Sequence, residues 1–358
     1  MEDLAKHPAL EPKLWAEYRK LAGNNNSPVD RFGSIPTPFR FKLAEVCKAP
    51  QYSPNFKKTY EEICSERVRE LMSLQNETDF KICIPYSGGI DSTMVLVSFL
   101  KELGPLAARE RLIVYLNRNS INENPTFYEK YIRHSLNFRS SERLWEIFDG
   151  KNIYVSADFN DQLVGSWVVQ EVGHLLGEKT IAKPYTRELI VEILKFKGMS
   201  DSGATFWFEC LEQNIKYQNV TTITTINDFF WWTSFNLKWQ AVYFGVIMRT
   251  LPFSRAILSH EMLEKCFQPF FMSHDFQRWS FSNPDLKIQN SWDSYKWHFK
   301  ELIFAFNQDA TYRDEKIKIG SLYHILMQNN SPIGLTSNLE FLRTIEPSEY
   351  YQPIAQSC

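Results

Sequence analysis

The chain has 358 residues, 44% of them hydrophobic and 23% charged, with a formal net charge of −2. That length and balance describe a globular chain of two or three domains that can bury a full core. The near-neutral charge excludes a general electrostatic grip on nucleic acid and leaves only a local basic patch open.

The six cysteines, at positions 47, 64, 83, 210, 266 and 358, form no CxxC pair. They read as free thiols of a reducing compartment, not as a disulfide frame or a zinc site. The opening MEDLAKHPALEP lacks the pattern of a secretory leader, and no run of about 18 apolar residues predicts a membrane span. The expectation is a soluble, cytoplasmic protein that does not engage a membrane.

Residues 1–22 carry a short helical pattern around Leu14, Tyr18 and Leu21, and the GNNNSPVDRFGSIPTP that follows reads as a loop or linker. Residues 55–75 predict a helix with Tyr60, Ile63, Val68 and Leu71 apolar. It leads into FKICIPYSGGIDSTMVLVSFLKELG, residues 80–104. There an apolar strand from Ile82 to Tyr86 meets a small polar loop, Ser87-Gly88-Gly89-Ile90-Asp91-Ser92. A helix follows, apolar at Met94, Leu96, Val97 and Leu100, and expected to stop at Gly104.

The chemistry of that loop suits a phosphate chain. Two glycines let the backbone turn and approach a ligand closely. Ser87 and Ser92 supply hydroxyl donors, and the first N–H groups of the helix face the loop at the positive end of the helix dipole. Asp91 repels phosphate unless a divalent cation lies between them, which calls for Mg²⁺. No lysine follows the last glycine, so this is not the Walker A pattern.

The loop resembles the SGGxDS pyrophosphate loop of the PP-loop ATP pyrophosphatase superfamily. The resemblance implies that Ser87, Gly88, Gly89, Ile90, Asp91 and Ser92 bind ATP and that Asp91 meets Mg²⁺. The next strand, 111–117, makes a βαβ unit with a parallel sheet. Ligands bind at the carboxyl ends of such strands, so Leu116 and Asn117 should face the nucleotide. In the family this strand end contacts adenine through backbone groups, which places Leu116 in the nucleotide set.

A third strand is expected at 152–156. It runs into Ser156-Ala157-Asp158-Phe159-Asn160-Asp161-Gln162-Leu163-Val164-Gly165, which resembles the S-G-E-G-x-D-E/Q-L/I-F-G segment of asparagine and β-lactam synthetases. The resemblance makes Asp161 a Mg²⁺ and pyrophosphate residue, Asp158 the acid beside the reacting carbonyl, and Ala157 part of the nucleotide site. Ala157 and Phe159 replace glycines, so the loop is expected to lack some backbone conformations open to the family.

Residues 183–220 read as mostly helical. Residues 228–250 predict a strong helix with Asp228 as N-cap and with Trp232, Phe235, Trp239, Val242 and Val246 on one face, best explained as a core helix. Further on, Pro269-Phe270-Phe271 is similar to the family's P-F-L-D, with Met272 in place of the acid, whose function is either missing or supplied by Asp275. Residues 294–301 resemble the family's K-x-x-L-R-E helix. Arg313 to Ser321 resembles its R-x-K-x-G segment, whose lysine reaches the departing pyrophosphate. Lys318 matches that lysine best, with Lys316 as the rival.

The resemblance implies an α/β fold, a parallel-sheet, Rossmann-like PP-loop (HUP-type) domain followed by a mainly helical C-terminal part. The expected division is an N-terminal extension over 1–78, a nucleotide-binding core over 79–170 and a substrate region over 171–358. Residue 2 is Glu and only about 80 residues precede the loop strand, so no glutaminase is expected. The implied activity is an AMP-forming ligase that uses ATP and Mg²⁺. It adenylates a small-molecule carboxylate and joins it to ammonia or an amine, with Asp158 and Lys318 catalytic. A separate nitrogen-donor protein and a homo-oligomer stay open as partners. The alternatives are adenylation of a nucleobase or tRNA base, and a regulatory nucleotide-binding module without turnover.

Overall fold

A computed structural model describes residues 12–22, 30–35, 43–140, 150–165, 167–250, 260–289 and 291–316. Along the chain lie α1 (Pro12–Ala22), α2 (Tyr60–Asn76), β1 (Ile82–Pro85), α3 (Ile90–Arg111), β2 (Leu112–Leu116), α4 (Arg118–Glu123), α5 (Pro125–Phe127), β3 (Phe138–Ser140) and β4 (Ile153–Tyr154). There follow α6 (Asn160–Val164), α7 (Trp167–Leu176), α8 (Arg187–Phe196), α9 (Asp201–Gln218), α10 (Ile226–Thr250), α11 (His260–Cys266), α12 (His274–Ser282), α13 (Trp297–Asn307) and α14 (Ala310–Glu315). The chain divides into two compact units. The first holds Met1–Tyr60, Asp158–Met248 and Phe271–His298; the second holds Glu61–Ala157, Arg249–Phe270 and Phe299–Cys358.

The second unit is built on a four-stranded, all-parallel sheet in the order β3-β2-β1-β4. The apolar β1 and β2 lie in its middle, with Ile82 opposite Leu112 and Ile84 opposite Val114. A strand covered on both faces must be apolar at successive positions, and Ile82, Cys83 and Ile84 are all fully buried. This is an α/β, Rossmann-like arrangement within a chain that is mostly helical.

Two sequence expectations change in detail. The helix after the loop breaks at Gly104, whose φ of 70° is left-handed, but a second segment begins at once with Pro105 and runs to Arg111. Proline suits a first helical turn, where its missing N–H has no partner to lose. The third strand pairs only over Ile153 and Tyr154, although Val155 still donates to the Cys83 carbonyl at 2.9 Å. Beyond it the segment 267–270 lies alongside: Gln268 N donates to Tyr154 O and Phe270 N to Ser156 O, each at 2.9 Å. The edge strand β3 has no counterpart in the sequence reading.

The first unit is helical. Asp228 does not stand at the N-cap of α10. Thr225 does, and Asp228 is the third helical residue. Its carboxylate accepts from Thr225 N at 2.9 Å while Thr225 Oγ1 accepts from Asp228 N at 3.2 Å. This reciprocal capping box satisfies two orphan donors of the helix start. The helix is also buried on more than the one face expected. Phe229, Phe230, Trp231, Trp232, Phe235, Leu237 and Trp239 are each at most 1% exposed. Val242 is half-buried, and the side chain of Val246 lies outside the description. The Arg31 guanidinium lies over the rings of Phe235 and Trp239, at 4.4 and 4.0 Å from their centres. Packing of this kind makes α10 the core of its unit. The anticipated N-terminal helix is α1, whose Leu14 carbonyl accepts from Trp207 Nε1 on α9 at 3.1 Å.

Among the described residues no helix is long and apolar enough to cross a membrane. Cys47, Cys64, Cys83, Cys210 and Cys266 are free thiols.

Candidate functional site

Parallel pairing sends the carboxyl ends of β1, β2 and β4 to one edge of the sheet. With them go the Ser87–Ser92 loop, the β2 end at Leu116 and Asn117, and Ser156 and Ala157. The loop is braced by its own hydroxyls. Ser92 Oγ accepts from Ser87 N at 3.1 Å and lies 3.0 Å from Ser87 Oγ, while Ser87 Oγ accepts from Gly89 N at 3.3 Å. Gly89 is the extended N-cap of α3, so the free N–H groups of that helix open onto the loop, and Asp91 stands half-buried in its first turn.

Gly88 has a strict requirement for glycine. Its φ is +76°, and a Cβ there would lie 2.4 Å from the Ser120 carbonyl oxygen and 2.6 Å from Glu123 Cβ. Its own carbonyl accepts from the Tyr312 hydroxyl at 3.1 Å, and that hydroxyl lies 3.3 Å from Thr93 Oγ1. Burial holds the Tyr312 and Tyr86 phenols well above their ordinary range, so both stay protonated. Asp309 caps α14 through Tyr312 N at 2.9 Å. The next residue after α14, Lys316, donates to Glu123 Oε1 and to the Glu123 carbonyl oxygen. Lys318 lies outside the described residues.

Leu116 is 2% exposed at the end of β2. Asn117 beside it is engaged as the cap of α4, where its side chain accepts from Ser120 N at 3.0 Å.

The other predicted acids belong to the first unit. Asp158 is half-buried in the turn before α6. Asp161, in the first turn of α6, accepts at one oxygen from Lys296 Nζ at 2.6 Å and from the Tyr295 hydroxyl at 2.9 Å. Gly165 matters through space: a Cβ there would meet the Tyr295 ring at 2.6 Å. Between them, Phe159 takes φ 82°, ψ −18°. The loop was expected to lose conformations for want of glycine there; instead Phe159 adopts the left-handed one. Its ring is 1% exposed and lies 4.7 Å from that of Trp239, which holds the residue in a conformation that costs about 1–3 kcal/mol. Burial also lowers the Lys238 amine to about 8, against the opposing pull of Asp161. Asp275, the one candidate for a substitute acid, is held by Lys58 at 2.8 Å and Arg278 at 2.9 Å. Burial pushes its carboxyl up, but these bonds keep it below the ordinary range.

Sequence reasoning missed Glu123, Tyr312, Lys238 and the pairing of Lys296 with Asp161. Only the lysine at 296 carried a signal, as the first residue of a K-x-x-L/F-R/K-E pattern. No protein-family model, no curated protein and no solved structure matches the chain.

Among the described residues no group of three His, Cys, Asp or Glu side chains could hold a metal by itself. Mg²⁺ that arrives with a nucleotide needs only one or two protein carboxylates, the rest of its shell being phosphate oxygens and water. Asp91, half-buried in the first turn of α3, could supply one of them. At Asp161, the oxygen that accepts from Lys296 already faces an ammonium.

Proposed function

We propose that the chain is an ATP-dependent, AMP-forming ligase of the PP-loop type, similar to the synthetase domain of asparagine and β-lactam synthetases. The observation that carries the reading is the Ser87–Ser92 loop. It joins a central parallel strand to a helix N-terminus, with Gly88 in a backbone conformation and a crevice that admit glycine alone. In this reading the loop N–H groups and the Ser87 and Ser92 hydroxyls bind the phosphates of ATP, and Asp91 holds Mg²⁺. When bound, that cation neutralises charge on the departing pyrophosphate. Lys316, the rival of Lys318 and the one of the two among the described residues, supplies an ammonium to the same phosphates. Attack of a substrate carboxylate oxygen on the α-phosphate would break the α–β bond, release pyrophosphate and leave an acyl-adenylate; attack of ammonia or an amine on its acyl carbon would form the amide and release AMP, with Asp158 taking the amine's proton, as the resemblance implies.

The pairing of Asp161 with Lys296 favours one rival, a nucleotide-binding module without turnover. One experiment separates the two. Purified protein is incubated with Mg²⁺, α-labelled ATP and cell extract, beside the Asp91→Ala variant. Labelled AMP that requires Asp91 and dialysable small molecules supports the ligase. ATP binding without AMP supports the rival, and Asp91-dependent ADP rules out both.

A further inference from the structure

Glu123 closes α4 and packs against Gly88, with its Cβ 2.6 Å and its Cγ 3.0 Å from where a Gly88 Cβ would stand. A carboxylate therefore sits at the loop assigned to phosphate, where like charges repel. Its charge is met by Lys316, whose Nζ lies 2.5 Å from Glu123 Oε1 and 3.2 Å from the Glu123 carbonyl oxygen. The two side chains are only 6% and 5% exposed. A sealed ion pair is weak evidence of stabilisation, since desolvation offsets the attraction. Its place needs another reason. The same helix end supplies a second link: Tyr312 on α14 donates to the Gly88 carbonyl, four residues before Lys316. Thus α14 both ties down the loop and delivers an ammonium beside it.

We propose that Glu123 is an internal stand-in for phosphate. It holds the Lys316 ammonium beside Gly88 until a pyrophosphate-bearing ligand takes that ammonium over. Carboxylate and phosphate oxygens compete for the same charged donor, so the exchange swaps one set of charge-assisted hydrogen bonds for another. Glu123 is thereby a positioning residue that acts through Lys316. The inference rests on the phosphate-loop reading.

Calorimetric titration of the full chain with Mg²⁺–pyrophosphate and Mg²⁺–ATP tests it. Removing the competitor should tighten the ligand: Glu123→Gln is expected to bind pyrophosphate about tenfold more tightly than wild type. Glu123→Asp keeps the charge pair but retracts the carboxylate, with about threefold tightening expected, and it serves where the Gln variant fails to fold. In a Lys316→Met background, Glu123→Gln should change affinity by less than about twofold, because the two residues act as one unit. Equal tightening in both backgrounds would mean plain charge repulsion and overturn the exchange. So would unchanged or weaker binding by the Glu123 variants. A wild-type protein that binds neither ligand would overturn the phosphate-loop reading, and this inference with it.

Discussion

Lys296 Nζ lies 2.6 Å from Asp161 Oδ1, with the lysine side chain 5% exposed and the aspartate 51% exposed. The asymmetry decides which partner depends on the other. The half-exposed carboxylate can turn to water, whereas the buried ammonium is shielded from it.

Truncating the two residues should therefore give unequal costs. Asp161→Ala removes a charge partner from an ammonium that is 5% exposed and is expected to cost about 1–3 kcal/mol. Lys296→Met leaves a half-exposed carboxylate and should cost less than about 1 kcal/mol. Urea midpoints of the two variants check the order.

The two loop glycines should also respond unequally. Gly88→Ala meets backbone oxygen at 2.4 Å and keeps a left-handed φ, so destabilisation of about 2–4 kcal/mol and loss of ATP binding are expected. An added Cβ on Gly89 approaches only Ser87 Oγ, at 3.3 Å, and Gly89→Ala should cost less than about 1 kcal/mol. Denaturant titration and ATP calorimetry read both.

Phe159 offers a reversal of the usual alanine–glycine order. Phe159→Ala loses the ring packing and keeps the left-handed strain, at a cost of about 3–5 kcal/mol. Phe159→Gly loses the same ring but relieves the strain, and is expected to be about 1 kcal/mol more stable than Phe159→Ala. Thermal or urea unfolding of the pair is the measurement.

Lys238 should write itself into the pH profile. Burial lowers its folded-state value from 10.5 to about 8. Between those values the unfolded chain binds the extra proton, so stability rises with pH there, and the cost of the buried charge is borne in full below pH 8. Relative to Lys238→Met, wild-type stability should climb by up to about 1.4 kcal/mol per pH unit from pH 8 to 10. A flat difference in urea stability across that range would refute it.

What could be read from the sequence was local. The apolar runs of β1 and β2, the turn at Ser87–Ser92 and the aromatic periodicity of α10 each lie within one short stretch, and the structure places them where the pattern does. The three-residue β3, with only Phe138 buried, carries too little pattern to register. The cap of α10 went to Asp228 because Thr225 and Asp228 both suit a helix start, and only the reciprocal bonds tell Ncap from N3. The pairs Glu123–Lys316 and Asp161–Lys296 join residues 193 and 135 positions apart, and Tyr312 reaches Gly88 across 224. Side-chain chemistry at one end of such a pair says nothing about the other end. The left-handed Phe159 was invisible for the opposite reason: residue type argued against a conformation that ring burial sustains.

The segment running beside β4 has a bearing on solubility at high concentration. Gln268 and Phe270 turn their N–H groups inward to Tyr154 and Ser156, so the backbone nitrogen between them faces away from the sheet. That nitrogen belongs to Pro269, which has no hydrogen to give. A strand from another molecule that tried to extend the sheet at this border would find no donor at Pro269. At the opposite border, β3 comprises Phe138–Ser140 among the described residues. The border at Pro269 is thus a poor template for edge-to-edge stacking into fibrils.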